Sequence, residues 1–244
     1  VVVSGLLAAA LPGALSFLDH QSSRGIEVEA VFASPFMIAS WFGYPIRTVH
    51  EDGNFQLAGP GTGVVASGAI LLTLLGFGIV LWWRLRRFHP DRWSPALMYD
   101  AGFTVLLVMV VTSRVLSPQY LIWLIGLSAL CLAENGPGRR GTLMATPARL
   151  VLACTLVSQL EFPILFLQVL THGFLGTAVV AARNLVLLAA TLIALRKLWS
   201  ATTREPASRH ADAPLEAAAA QDLLQPAGAS ATPGAREHRG ASTA

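Results

Sequence analysis

Long apolar runs alternate with short clusters of charged residues along most of the chain. A helix that crosses the hydrocarbon core of a bilayer needs about 20 apolar residues, and residues 62–83 reach that length without a charge before Arg84. Other apolar runs precede and follow this one. The pattern therefore predicts about six transmembrane helices, at residues 1–18, 62–83, 96–111, 120–133, 150–170 and 175–195.

The apolar run at residues 1–18 begins with the first residue, without the basic segment that starts a secretory signal peptide. We expect this run to be the end of a transmembrane helix. The chain is then expected to be the C-terminal part of a longer protein.

The long polar connection, residues 19–61, is predicted to be a structured outer loop. Ser34 followed by Pro35 is typical of an N-cap residue with proline at the first helical position. We therefore predict that Ser34 caps a short interfacial helix over residues 35–42. Residues 46–57 alternate around the sequence Glu-Asp-Gly-Asn, which predicts a small β-hairpin.

The last part of the chain, residues 200–244, is rich in Ala, Ser, Pro, Gly, Glu and Arg and has no sustained apolar period. Such a segment cannot bury enough apolar surface to offset its ordering entropy, so we expect a disordered tail. The predicted fold class is an all-α polytopic membrane protein, with a transmembrane bundle over residues 1–199 followed by this tail.

The composition agrees with a membrane protein, because hydrophobic residues make up 54% of the chain and charged residues only 13%. A soluble domain has about 25% charged residues, so an ordinary soluble globule and a disordered chain are excluded. The net charge is +3. The arginines lie in short clusters between apolar runs rather than along one face, so we expect no nucleic-acid partner.

The basic residues are distributed unequally between the two sides of the predicted bundle. Cytoplasmic loops carry an excess of Arg and Lys, so the richer side and the tail are predicted to be cytoplasmic. Residues 19–61 and the turn at Arg114 are then outside. The inner side carries Arg84, Arg86, Arg87, Arg92, Arg139, Arg140, Arg149, Arg196, Lys197 and Arg204, and the outer side carries Arg24, Arg47 and Arg114.

The sequence contains none of the usual signatures of soluble enzymes, such as GxGxxG, the P-loop, HExxH or GxSxG. Cys131 and Cys154 both lie in apolar runs, so we interpret them as packing residues. Cys and His residues with metal-ligand spacing are absent from the sequence. We therefore expect neither a cofactor nor a metal.

A first polar cluster on the predicted outer side contains Arg24, Glu27 and Glu29, next to the membrane. Two interpretations remain open for it. The cluster is either a polar binding site at the outer membrane face or a solvated loop.

A second polar cluster contains Arg114, Ser117, Gln119 and Tyr120, between two apolar runs. Ser117 precedes a proline and is predicted to cap the next helix. A helix N-terminus beside an arginine favours an anion, for which a lipid phosphate is the candidate. The same residues also fit a simple turn with a snorkelling arginine.

Glu161 and Arg183 are ionisable residues inside two consecutive apolar runs. They lie at similar depths below the turn at residues 171–174, and a lone charge near the bilayer centre costs at least about 2.5–3.5 kcal/mol. We therefore predict a Glu161–Arg183 contact with a structural role. Pro163 is expected to kink its helix and to free backbone carbonyls as further acceptors for Arg183 or Asn184.

Three stretches of the sequence together resemble glycosyltransferase family 87, whose members are bacterial membrane enzymes with the C-type glycosyltransferase fold. They are SSRGIEVEAVFASPF at residues 22–36, the predicted hairpin with the Gly-Pro-Gly that follows it, and TSRVLSPQYLIWL at residues 112–124. The resemblance rests on the order and spacing of these stretches and covers roughly residues 1–195.

The resemblance implies a hexosyltransferase of the bacterial plasma membrane, with mannose among its candidate sugars. It implies transfer at the outer face from a polyprenyl-phosphate-linked sugar to a glycolipid or glycan acceptor of the cell envelope. Both polar clusters would bind substrate, and Arg114 or Arg24 would neutralise the departing lipid phosphate. Some members have histidines where this chain has Gln119 and Tyr120.

The acidic residue that serves as catalytic base in such enzymes would lie upstream of Val1. The chain alone is therefore expected to be inactive. No residue within it is assigned as the base.

Two other classes of protein remain open. Ionisable groups inside membrane helices, such as Glu161 and Arg183, often mark transport pathways, which favours a multi-span transporter. A non-catalytic membrane protein of envelope assembly fits the same pattern. The structured outer loop favours the enzyme, because transporters usually place their sites near the membrane midplane.

Overall fold

The computed structural model describes residues 24–51, 53–87, 95–133 and 141–201, together with a few positions among the first thirteen residues. These residues are mostly helical, with a small β-sheet at the start. Most of the predicted helix at residues 1–18, and the predicted tail from residue 202 onward, lie outside what the structure describes.

A three-stranded antiparallel sheet lies in the predicted outer loop. Its strands are β1 (Ile26–Glu27), β2 (Arg47–Glu51) and β3 (Asn54–Ala58), in the order β1-β3-β2. β2 and β3 form the predicted hairpin, and Gly53 in its turn has a φ of +75°, which glycine adopts without strain. β1 adds a third strand that the sequence pattern does not predict, with Ile26 opposite Leu57.

A short helix, α1 (Ala33–Ser40), follows β1 and begins two residues before the predicted span of 35–42. The N-cap is Phe32, and it makes no side-chain cap hydrogen bond, so the prediction that Ser34 caps this helix is wrong. The physical reason is that the Ser34 hydroxyl lies in the first turn and accepts a hydrogen bond from Asn184 Nδ2 (2.9 Å).

Longer helices make up most of the remaining described residues. They are α2 (Thr62–Arg87), α3 (Pro95–Thr112), α4 (Leu121–Ala133), α5 (Ala145–Gln159), α6 (Phe166–Leu170) and α7 (Phe174–Ala201), and a 3₁₀ turn, Pro118–Tyr120, precedes α4. α7 packs against α3 and α5, and α4 packs against the same two helices. The core between them contains the fully buried side chains of Phe103, Leu107, Leu124, Val151 and Leu187.

Two stretches are long and apolar enough to cross a membrane, Thr62–Arg86 and Phe174–Ser200. Two shorter apolar helices, Ala96–Thr112 and Pro118–Ala133, coincide with two more of the predicted runs. The described residues thus form a mostly helical protein with two helices of membrane-spanning length. A bundle of six spans stays a prediction.

The predicted run at residues 150–170 is broken near Pro163, where a kink is expected. α5 ends at Gln159, and the wide turn Leu160–Ile164 contains extended backbone at Phe162 (φ −123°, ψ 125°). Proline lacks a backbone N–H and disfavours helical geometry at the preceding residue, which explains the break.

Candidate functional site

A cavity of about 610 Å³ lies between the sheet, the 3₁₀ turn and helices α4, α5 and α6. Small-molecule sites usually measure about 300–1,000 Å³. The two predicted polar clusters meet in its wall. The wall includes Glu27 and Glu29 from the first cluster and Ser117 and Gln119 from the second.

Glu27 connects the two clusters through its side chain and its backbone. Ser117 Oγ donates a hydrogen bond to Glu27 Oε1 (2.7 Å), and the Glu27 backbone N donates to the Arg114 carbonyl (2.9 Å). Burial raises the pKa of Glu27, while hydrogen bonds from Ser117 and from the Leu116 backbone and the charge of Arg24 act in the opposite direction. Burial thus disfavours the charged form of Glu27, while two hydrogen bonds and the charge of Arg24 stabilise it.

The hydrogen bond to Glu27 also decides what Ser117 does for the following turn. Ser117 occupies the N-cap position of the 3₁₀ turn, but its side chain makes no cap hydrogen bond. The prediction that Ser117 caps the next helix is therefore wrong, because its side chain turns toward the Glu27 carboxyl group, 90 residues away in sequence, and makes no bond to the backbone of the turn.

Glu29 is 4% exposed and lies in the cavity wall. Burial raises the pKa of Glu29 to about 9, the negative charge of Glu161 adds to this, and the charge of Arg183 opposes it. A carboxyl group with this pKa is protonated at neutral pH. Glu29 therefore presents an acidic proton at the cavity wall, near the carboxylate of Glu27.

Arg24, Arg114 and Tyr120 lie outside the cavity wall. Burial, and next the positive charge of Arg24, lowers the pKa of Arg114, so the two guanidinium groups lie close enough to repel each other. An anion near both would relieve that repulsion. Tyr120 is half-buried and packs on Trp123, with 4.9 Å between the ring centroids. The substrate-binding role of these three residues stays a prediction.

Glu161 and Arg183 form the contact that the sequence predicts. Arg183 Nη1 donates to Glu161 Oε2 at 2.5 Å, and both side chains are fully buried. Arg183 Nη2 also donates to the Glu29 carbonyl oxygen, and Nε and Nη2 both donate to Asn184 Oδ1 (3.2 and 2.9 Å). These acceptors are not carbonyls near Pro163, so that part of the prediction is wrong. Arg183 does not donate to the carbonyl groups near the kink. The backbone carbonyl of Glu29, in the predicted outer loop, is its acceptor instead.

Asn184 fixes the same part of the outer loop to α7. Its Nδ2 donates to the carbonyl oxygens of Glu29 and Ala30 (both 3.2 Å) as well as to the Ser34 hydroxyl. The Glu161–Arg183 pair therefore lies directly beneath the outer loop. The similar positions of Glu161 and Arg183 in two apolar runs suggest a pair surrounded only by helices. The contact with Glu29 shows that the pair also touches the loop.

Sequence reasoning missed the part of the cavity wall that comes from the hairpin and from the broken run. Thr155 and Gln159 are four residues apart and so lie on one face of α5, a polar stripe that the sequence does show. Phe162 and Phe166 have the same spacing and stack edge to face at 5.1 Å. The missed wall residues include Asn54, Phe55, Thr155, Gln159, Phe162 and Phe166.

The geometry of the wall defines the chemistry of the cavity. Carboxyl groups, amides and a hydroxyl supply donors and acceptors, and the phenylalanines supply flat apolar faces. A ligand with several hydroxyl groups and an apolar face suits such a wall. Among the described residues, no group of three or more His, Cys, Asp or Glu side chains is arranged to hold a metal ion.

Comparison with known proteins finds no matching family model, no matching curated protein and no matching solved structure. The class that fold and site define is a mostly helical protein with two helices of membrane-spanning length and a cavity under a small sheet, lined by both polar and apolar side chains.

Proposed function

We propose that this chain is a multi-pass hexosyltransferase of the bacterial plasma membrane. It moves a sugar from a polyprenyl-phosphate donor to a glycolipid or glycan acceptor of the cell envelope, at the outer face, with its tail in the cytoplasm. The observation that carries the proposal is the cavity, because the two clusters that resemble glycosyltransferase family 87 meet in its wall.

The composition of the wall supports a sugar as the ligand. Hydroxyl groups of a hexose need both donors and acceptors, which Gln119, Gln159 and Glu27 provide. The C–H face of a sugar ring packs well on an aromatic side chain, and Phe162 and Phe166 supply such faces.

The positive charge beside the cavity supports a phosphate-linked donor. Arg24 and Arg114 lie near each other, and the Arg114 carbonyl accepts a hydrogen bond from the backbone of Glu27. A sugar in the cavity would place its linking phosphate within reach of this pair. The arginines would stabilise the charge that develops on the phosphate as the glycosidic bond breaks.

The surface of the helices supports a membrane location. On α2, Leu71, Leu74 and Leu85 are 62–72% exposed, and large apolar surfaces of this kind suit lipid rather than water. Aromatic pairs lie near both ends of α7, Trp41–Phe174 at one end and Trp82–Trp199 at the other. Such pairs are typical of the two membrane interfaces.

Donor binding tests the proposal. The purified chain in nanodiscs is mixed with a labelled polyprenyl-phosphate hexose and with the same lipid lacking the sugar. We expect the sugar-bearing lipid to bind more tightly, and Gln159→Ala to weaken its binding about tenfold through the loss of one hydrogen bond to the sugar. The matched control is Gln168→Ala, since Gln168 is exposed, as Gln159 is, but lies on α6, outside the cavity wall.

Equal binding of both lipids, or equal effects of the two glutamine variants, would contradict the proposal. The buried Glu161–Arg183 pair is the observation that favours a transporter. Sugar movement into sealed proteoliposomes without covalent transfer would identify that function instead.

A further inference from the structure

Three buried carboxyl groups converge at the inner end of the cavity. Glu27 and Glu29 lie in its wall, 6% and 4% exposed, and Glu161 lies behind them with no exposed surface. Arg183 is in direct contact with Glu161, and the charges of Arg183 and Arg24 act on Glu27. Three ionised carboxylates in so little space would repel one another strongly, so the cluster favours at least one bound proton.

Unsatisfied oxygen atoms indicate where that proton lies. Glu29 Oε1 and Glu161 Oε1 are both buried and have no hydrogen-bond donor. Buried polar atoms in folded proteins are rarely left without a partner. The two side chains lie within hydrogen-bond reach of each other, and two carboxyl groups can share a hydrogen bond only when one of them carries a proton.

The ion pair decides which group keeps the proton. Arg183 stabilises the charged form of Glu161 at 2.5 Å, whereas Glu29 receives from Arg183 a hydrogen bond only at its backbone carbonyl. Glu161 is therefore the carboxylate and Glu29 the acid. On the other side, Glu27 has one oxygen held by Ser117 and a second, Oε2, that is buried without a donor.

We propose that Glu29 and Glu161 share one proton and that Glu29 and Glu27 act as the acid and the base of the sugar transfer. The proposal rests on the proposed function. The acceptor oxygen forms a bond to the anomeric carbon while its proton passes to Glu27. The bond between that carbon and the phosphate oxygen breaks with its electron pair on the oxygen, which takes the Glu29 proton. Proton transfer from Glu27 back to Glu29 through water resets the site.

This assignment differs from what the family resemblance implies. The resemblance places the base upstream of Val1, whereas the cavity wall itself contains the buried carboxyl group of Glu27, whose Oε2 accepts no hydrogen bond. Opposite protonation states in two neighbouring carboxyl groups are the usual basis for an acid and a base at one site. Glu161 is a positioning residue here, because it acts on the substrate only through Glu29.

Infrared spectroscopy of the full chain in nanodiscs tests the shared proton without any need for activity. We expect a carbonyl band of a protonated carboxylic acid at neutral pH, which shifts in heavy water and disappears only toward pH 9. Glu29→Gln should abolish this band, and Glu161→Gln should shift its frequency. Glu51→Gln is the control and should leave it intact, because Glu51 is exposed in the hairpin. A wild-type spectrum without the band overturns the proposal, whether or not the variants fold.

Transfer by the full-length protein tests the catalytic roles. We expect Glu29→Gln and Glu27→Gln each to lower turnover by about 10²- to 10⁴-fold. A donor whose leaving group needs no proton should restore much of the turnover in Glu29→Gln and little in Glu27→Gln. Equal rescue of both variants overturns the assignment. A wild type that has the band but transfers no sugar contradicts the proposed function and leaves only the shared proton.

Discussion

At the scale of single residues, Arg183 joins three parts of the molecule through one guanidinium group. It contacts Glu161 in the broken run, the Glu29 carbonyl in the outer loop and Asn184 on its own helix. Removing one partner of a buried ion pair leaves an uncompensated charge and costs about 3–5 kcal/mol, whereas replacing both partners can be nearly neutral.

We therefore expect Glu161→Gln and Arg183→Gln each to lower the unfolding temperature in detergent strongly. The double variant should lose less than the sum of the two single losses, because it leaves no isolated charge. Circular dichroism during heating measures all three. Losses that simply add, or single variants as stable as the wild type, would show that the contact contributes little.

Burial of Glu29 predicts that stability depends on pH. Its pKa is about 9 in the folded chain against an ordinary value of 4.5, so between these values the unfolded chain has released a proton that the folded chain keeps. The free energy of unfolding should therefore fall as pH rises through this window.

Comparison of wild type and Glu29→Gln isolates this contribution, since other groups titrate in both proteins. Unfolding temperatures are measured at both ends of the window. We expect the wild type to lose more stability toward high pH than the variant does. Identical pH profiles would contradict a buried, protonated Glu29.

Contacts between residues in neighbouring segments could be predicted from the sequence, whereas contacts between distant segments could not. The Glu161–Arg183 contact follows from matched depth in two consecutive runs, which the sequence contains. The roles of Ser34 and Ser117 could not be predicted, because their partners lie 150 and 90 residues away. Each serine side chain is oriented toward its distant partner and makes no cap hydrogen bond to the local backbone.

At the scale of elements, the same contrast separates the hairpin from β1. Alternation around a Gly-containing turn predicts β2 and β3 from local sequence. β1 has only two residues, Ile26–Glu27, and these carry no period of their own. It becomes a strand because β3 offers a free edge, and this pairing is what brings Glu27 into the cavity wall.

The junction of α6 and α7 depends on a close approach at Gly176. A Cβ atom at this position would lie 2.7 Å from the Val169 backbone N and 2.8 Å from the Gln168 carbonyl carbon. Backbone atoms cannot move aside cheaply, so we expect Gly176→Ala to lower stability by about 1–3 kcal/mol.

The matched control is Gly68→Ala in α2, where a Cβ atom meets nothing within 4 Å. Alanine favours a helix interior over glycine by about 1 kcal/mol, so this variant should be unchanged or slightly more stable. Unfolding in denaturant measures both variants. Similar effects of the two substitutions would contradict the close approach.

At the scale of the whole molecule, the length of α7 can be compared with the thickness of a bilayer. Phe174 and Trp199 are 25 positions apart on this helix, which corresponds to about 37 Å along its axis. A bilayer with its headgroups is about 40–45 Å thick. The distance between the two aromatic pairs is thus close to the thickness of a bilayer. The sheet lies near the end of α7 that begins at Phe174.

Labelling from outside the cell tests which end faces the cytoplasm. Cys131 and Cys154 are both buried, so they should react little with a membrane-impermeant maleimide. We expect Glu51→Cys to react in intact cells and Arg149→Cys to react only after permeabilisation. The reverse pattern would contradict the topology that the arginine distribution predicts.

The position of the bound sugar shows directly whether the cavity binds the donor. A polyprenyl-phosphate hexose with a photoreactive group on the sugar is bound to the chain in nanodiscs, irradiated, and mapped by mass spectrometry. We predict cross-links in two segments at once, residues 27–29 and residues 117–119, which both line the cavity. Cross-links confined to the apolar surfaces of α2 and α7, with none in these two segments, would contradict it.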